Sequence, residues 1–205
     1  AEGVVVVTSR MRRLLELDPA NMRAVVEPGV VNADISKAAA PHGLYYAPDP
    51  SSQQVCSIGG NIAENSGGAH CLKYGFTTHH THAVEVVLSN GELVTLGDPT
   101  GESFGYDLRG VFVGSEGTLG IATRVAVRLL PLPEAKRTLV ADFRSPPEAG
   151  AAVSAIIAAG IIPAAVEMLD TLAIEACEAA TGAGYTVGAG AALVVELDGP
   201  EAGLD

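Results

Sequence analysis

A chain of 205 residues that is 48% hydrophobic has enough apolar side chains to bury a core, as one large domain or two small ones. Twelve basic residues against 24 acidic ones leave a net charge of −12, which repels nucleic-acid phosphates and anionic lipid heads, and no basic patch offsets it. No apolar run reaches spanning length and no export signal opens the chain, so the sequence argues against an integral membrane segment and predicts a cytoplasmic protein.

Taken in order, residues 4–8 are a β-branched run that predicts a strand, and residues 10–17 carry apolar side chains at helical spacing. Asp18, Pro19, Ala20 and Asn21 form a turn signal before a second predicted strand at 23–27. Asn32 is placed to cap a helix that runs to about Ala40, with Gly43 ending it. From 47 to 78 punctuation dominates, and no regular element longer than a turn or two is expected; Val55, Ile58, Ile62 and Leu72 argue against disorder there. Strands at 83–88 and 92–96 flank Asn90-Gly91, the strongest short hairpin signal in the chain. Residues 106–112 read as a helical turn. Residues 121–129 alternate apolar side chains with Arg124 and Arg128, as a half-buried antiparallel strand does. Further on the pattern predicts a strand at 139–143, helices at 146–159 and 171–180, and a strand at 192–197.

From residue 138 onward Arg144 is the only basic side chain, and that shift marks a candidate domain boundary near 131–136. Both ends read as cuts: the chain enters its first predicted strand at once, and stops directly after its last. Cys56, Cys71 and Cys177 are odd in number and lack CxxC spacing, which speaks against a disulfide framework or structural zinc and fits a reducing compartment.

The chemistry-bearing candidates are mostly glycines. No GxxxxGK[ST] loop is present, and Gly114, Gly117 and Gly120 run into a strand rather than a helix, so the helix-based dinucleotide site is absent. What remains is SIGGNIAENSGG at 57–68 and VGSEGTLG at 113–120, two segments whose bare backbone suits an extended polar or anionic ligand, or makes tight turns. Spacing does not decide between the two. His79, His80 and His82 resemble a metal cluster, but neighbours on a strand point to opposite faces and no carboxylate or cysteine ligand stands near, so no metal is expected. Glu64, Glu116 and Asp107 are acid or base candidates without readable pairing, and Gly114-Ser115-Glu116-Gly117 is no GxSxG elbow. Any redox chemistry has to be carried by a cofactor.

PDPSS at 48–52, IGGNIAENSGG at 58–68, KYG at 73–75, EVVLSNGELV at 85–94 and GYDLRGVFVGSEGTLGI at 105–121 together resemble the FAD-linked oxidase family, with its flavin domain of the vanillyl-alcohol-oxidase or PCMH type, on the side of the glycolate oxidase D subunit and the D-lactate and D-2-hydroxyglutarate dehydrogenases. The resemblance implies an α+β fold: residues 1–137 as the second half of a PCMH-type FAD-binding domain, its upstream pyrophosphate-loop subdomain missing, and 138–205 as the start of an α+β cap domain. It implies FAD as cofactor, with Pro48, Asp49, Pro50, Ser51 and Ser52 along the flavin and its ribityl chain, and Gly59, Gly60 and Asn61 passing the pyrophosphate or ring. Asn65, Gly67 and Gly68 continue that wall, and Tyr74 and Gly75 close it. Glu116, Gly117, Thr118, Gly120 and Ile121 lie toward the adenosine, Ile121 through its backbone and Glu116 by direct contact or as a turn former. Glu167 and Asp170, in GIIPAAVEMLD, are helix-surface or capping residues before they are substrate ligands. The implied reaction is oxidation of a small D-2-hydroxy acid, with a partner subunit or quinone as electron acceptor. An enzyme of the same fold acting on another alcohol, or on an alkyl-transfer substrate, and a non-enzymatic binding module are the alternatives. The substrate-binding cations and the catalytic base fall outside the segments that match.

Overall fold

The computed structural model describes residues 3–102 and 105–203. The expectations about the two chain ends fall partly on residues outside these. The chain divides into two compact units, Ala1–Gly68 with Gly75–Leu132, and Ala69–Tyr74 with Pro133–Asp205.

Five strands make the antiparallel sheet of the first unit: β1 at Leu14–Asp18, β2 at Arg23–Val26, β4 at Thr81–Val87, β5 at Leu93–Gly97 and β6 at Ile121–Arg128, in the order β1-β2-β6-β4-β5. Leu44–Tyr45, β3, pairs separately with Leu130–Pro131, β7. Asp18 turns the β1-β2 hairpin by accepting bonds from the Asn21 backbone N–H at 3.1 Å and side-chain amide at 2.7 Å.

The helix expected over 10–17 is a strand. A register shift makes Leu15 an extra residue, so Leu14 stands opposite Val26 and Leu17 opposite Ala24, two buried positions of one face. A bulge thus turns a spacing of three into a shared face, which the apolar pattern alone presents as helical. The expected strand at 4–8 joins no ladder: Val4, Val5, Val6 and Val7 are 62–92% exposed. β-branched residues specify an extended backbone, and a strand also needs an edge to pair with.

Helices α1, Asn32–Ala39, and α2, Ile58–Glu64, pack on the sheet. Ile35, Ile58 and Ile62 join Val84, Val86, Val125, Val127 and Leu129 in one buried cluster. Asn32 does not cap α1. Val31 holds the cap position without a side-chain bond, while the buried Asn32 amide donates to the Pro48 carbonyl at 3.0 Å. The long punctuated stretch holds α2 and α3, Cys71–Tyr74, both within the expected turn or two. The predicted hairpin is β4-β5, turned where Gly91 N–H donates to Leu88 O at 2.9 Å, and the helical turn at 106–112 is α4, Leu108–Phe112.

In the second unit β8 at Ala135–Phe143, β9 at Ala165–Asp170 and β10 at Ala191–Gly199 form an antiparallel sheet of order β8-β10-β9. Ala149 of α5, Pro146–Ala158, packs on Ala191, Leu193 and Val195. β9 is not foreseen by the pattern. Glu167 lies on it, opposite Val194, rather than on a helix surface, whereas Asp170 caps α6, Thr171–Thr181, by accepting from Ala173 N–H at 2.8 Å. Helices and strands mix in both units, an α+β fold. Among the described residues no helix is long and apolar enough to cross a membrane.

Candidate functional site

The two glycine-rich segments, some fifty residues apart in sequence, meet. Gly114 N–H donates to Ile62 O and Glu116 N–H to Ala63 O, each at 2.8 Å, so the loop before β6 hangs on the last turns of α2. Between them opens a pocket of about 340 Å³ whose lining includes Gly59, Ala63, Ser115, Gly117, Gly120 and Ile121 and no charged side chain. Gly59 and Gly60 are helical rather than left-handed, with Ser57 as their N-cap. The bare backbone there serves close packing: a Cβ on Gly59 would stand 2.9 Å from Pro28 Cβ, and one on Gly120 2.5 Å from Val86 Cγ1. Gly60 faces open space but for Ser57 Oγ, and Gly117, at φ 72°, faces open space.

A second group of the expected residues gathers around Asp49. Gly68 lies so close that a Cβ would meet Asp49 O at 2.2 Å. Pro50 O accepts from Gln53 N–H at 2.7 Å, and Ser52 O from Val55 and Cys56 N–H at 2.8 Å, a turn that leaves Ser51 and Ser52 exposed. Asn65, left-handed at φ 50°, ends α2 and accepts from Thr78 N–H at 3.0 Å; Gly67 beside it is half-buried. Thr118 turns its hydroxyl back to Ser115 O at 2.6 Å, and Glu116 takes a left-handed φ of 54°. Gly75 packs on the His79 ring. Tyr74 is not brought into the pocket; it belongs to the second unit, where its hydroxyl donates to Asp198 Oδ2 at 2.8 Å.

Three buried polar atoms around these segments have no hydrogen-bond partner among the described residues: Ser115 Oγ, Asn61 Nδ2 and Asn32 Oδ1. Folded proteins leave few buried polar atoms unsatisfied, so each one is a place for a bound water or ligand. Sequence reasoning missed Ser115, hidden between Gly114 and Glu116, and treated Asn32 as a cap; neither carries a pattern that marks it before folding. The histidines disperse. His79 Nδ1 accepts from Phe76 N–H at 3.0 Å, His80 is buried edge-on to Tyr46 at 6.3 Å between ring centroids, and His82 is held below its ordinary pKa by burial, then by Arg128, Arg109 and Arg23. Among the described residues no group of three potential metal ligands occurs.

A charge-free pocket lined by glycines and apolar side chains, with an orphaned hydroxyl among its lining residues, suits an organic cofactor rather than a metal. Two family profiles match the chain, "FAD binding domain" over residues 1–97 and "FAD linked oxidases, C-terminal domain" over 132–205. The chain belongs to the FAD-linked oxidases. It is 54% identical over 200 residues to the glycolate oxidase subunit GlcD of Escherichia coli K12, covering 98% of this chain and 40% of that protein. It is 46% identical over 199 residues to the GlcD of Bacillus subtilis 168, covering 97% and 42%. A solved alkyldihydroxyacetonephosphate synthase shares the fold, with a TM-score of 0.80 at 22% identity over 95% of this chain and 38% of its own. The chain thus spans about 40% of the length of the curated relatives it matches.

Proposed function

We propose that this chain forms one wall of an FAD site, and that the protein it belongs to oxidises a small D-2-hydroxy acid, glycolate before D-lactate, to the 2-oxo acid. The observation that carries the reading is the pocket where α2 meets the loop 113–121: uncharged, lined by three glycines and by apolar side chains such as Ile62 and Phe112, with Ser115 Oγ meeting no partner among the described residues. Bound FAD supplies the acceptor for the hydride that leaves the α-carbon.

The residues of this chain hold and orient. Ser115 Oγ and the Asn61 amide offer hydrogen bonds to the cofactor; Gly117 and Gly60 leave room for it at the main chain; the 48–52 turn and the 65–68 backbone extend the wall. In this reading residues 1–137 act as flavin-binding domain and 138–205 as part of a substrate-covering domain. No residue of this chain is assigned as catalytic base. A partner subunit or a quinone takes the electrons onward. Three free cysteines support a reducing compartment, the cytoplasm.

The test is to produce the protein from its whole open reading frame, record a flavin spectrum, and add glycolate, D-lactate or L-lactate without oxygen. Bleaching by glycolate and D-lactate with L-lactate inert is expected. A colourless protein indifferent to FAD defeats the cofactor reading, and a yellow one that no 2-hydroxy acid bleaches defeats the substrate reading.

A further inference from the structure

One helix start carries the turn that lies along the proposed flavin site. The first N–H groups of a helix have no partner inside it, and in α1 two of them are taken up by the chain at 53–56: Asn32 N–H donates to Cys56 O at 3.0 Å and Ala33 N–H to Gln53 O at 3.1 Å. Ahead of the turn, Ser36 Oγ donates to Tyr46 O at 3.3 Å and accepts from Tyr46 N–H at 3.0 Å. Between these anchors the Asn32 amide donates to the carbonyl of the buried Pro48 at 3.0 Å. The bonds inside the turn, from Gln53 N–H to Pro50 O and from Val55 and Cys56 N–H to Ser52 O, set its shape but not its place on the helix. All of these residues lie in the first unit.

Asn32 is 1% exposed, and its Oδ1 has no partner among the described residues. A buried amide with one end unmatched is less stable than an apolar side chain of the same size, so packing does not account for it. Capping does not either, since Val31 holds that position. What the side chain adds is a donor for one carbonyl. The helix N–H groups hold Gln53 and Cys56 whatever stands at 32, whereas this grip on Pro48 depends on the amide. We infer that Asn32 is a positioning residue for the proposed flavin-lining turn: with Pro48 held at one end and Gln53 and Cys56 at the other, residues 49–52 have both ends fixed to α1. The inference rests on the FAD reading for its effect on the cofactor, and on hydrogen bonds of the first unit alone for its effect on the turn.

The experiment uses the full-length protein freed of FAD, with Asn32→Leu, similar in size but without a donor. Hydrogen exchange of the Ala33 amide reports the seat of the turn, because its acceptor is Gln53 O, and the amides of 36–39 report the helix. FAD affinity is read by quenching of flavin fluorescence. Val84→Ala, which thins the core on β4 and keeps every bond named above, is the control. In N32L, Ala33 exchange, corrected for its new neighbour, is expected to rise about five- to tenfold with 36–39 still protected, and the FAD Kd to rise about threefold or more, while V84A keeps the wild-type Kd and Ala33 protection. Unchanged Ala33 exchange overturns the inference, as does loss of protection along the whole helix, which makes Asn32 a core residue and no more. Release of Ala33 with the Kd unaltered overturns it too, and so does a V84A Kd raised as far as that of N32L. If N32L does not fold, the same criteria apply to Asn32→Ala at about a twofold effect, since a water can then enter and bond Pro48 O. A wild-type protein that ignores FAD defeats the cofactor reading, and Ala33 exchange then decides the positioning claim by itself.

Discussion

Ser115 is the residue on which the pocket can be tested most directly, since its hydroxyl is buried and meets no acceptor or donor among the described residues. Ser115→Ala is expected to weaken FAD binding by roughly 2- to 12-fold, the worth of one ordinary hydrogen bond, and to leave the unfolding midpoint where it was or slightly higher. Titration of the flavin into wild type and variant measures the first, urea unfolding without flavin the second. Gly68→Ala tests the wall. Its Cβ would lie 2.2 Å from a backbone oxygen that cannot swing aside, so a loss of about 1–3 kcal/mol is expected. Gly117→Ala meets open space, and its cost, about 1–2 kcal/mol, comes from the left-handed φ alone. For Asp198 and Glu196, burial opposes ionisation, but the bonds from Lys73 and Tyr74 to the first and from His70 and Lys136 to the second leave both carboxyls below their ordinary 3.8 and 4.5. The unfolded chain therefore takes up protons first as the pH falls. The stability these groups contribute is whole above pH 4.5 and is lost as the pH drops through their lowered values. The gap in urea midpoint between wild type and Asp198→Asn should accordingly be wide at neutral pH and close as the pH is lowered below about 4.

At the scale of elements, β1 shows why apolar spacing misleads. Leu14 and Leu17 satisfy a helical count only because Leu15 bulges out of the ladder. Deleting Leu15 should therefore give an unbulged ladder that keeps both leucines on the core face, and shift the melting temperature little. Calorimetry of the variant measures this, and a deletion as damaging as Leu17→Ala would refute the bulge account. The hairpin at Asn90-Gly91, α4, α5, α6 and β10 are legible in the sequence because their signals are local: a turn pair, a helix-starting Ser145 or Asp170, an alternating run. α2 is less so, since two glycines inside a helix read as a loop until Ser57 is seen to cap it and Pro28 to press on Gly59. Of the site, the two glycine-rich segments are legible in the sequence, but their meeting is not. The bonds that join them, Gly114 to Ile62 and Glu116 to Ala63, run between backbone groups and leave no mark on residue type.

The whole molecule is divided in a way that a charge profile does not register. The shift to acidic residues marks a contiguous stretch, whereas the second compact unit includes six residues from the middle of the first. A piece comprising residues 133–205 loses Lys73 and Tyr74 and leaves the Asp198 carboxylate without its two closest donors. The six residues 69–74 also bear on recombination between relatives. A chimera that takes residues 133–205 from another family member inherits a foreign seat for the resident 69–74, and no single crossover between 75 and 132 can bring the matching pair along. The heritable module is a discontinuous one, so an exchange that keeps the rest of the first unit resident needs a double graft of both segments from the same donor.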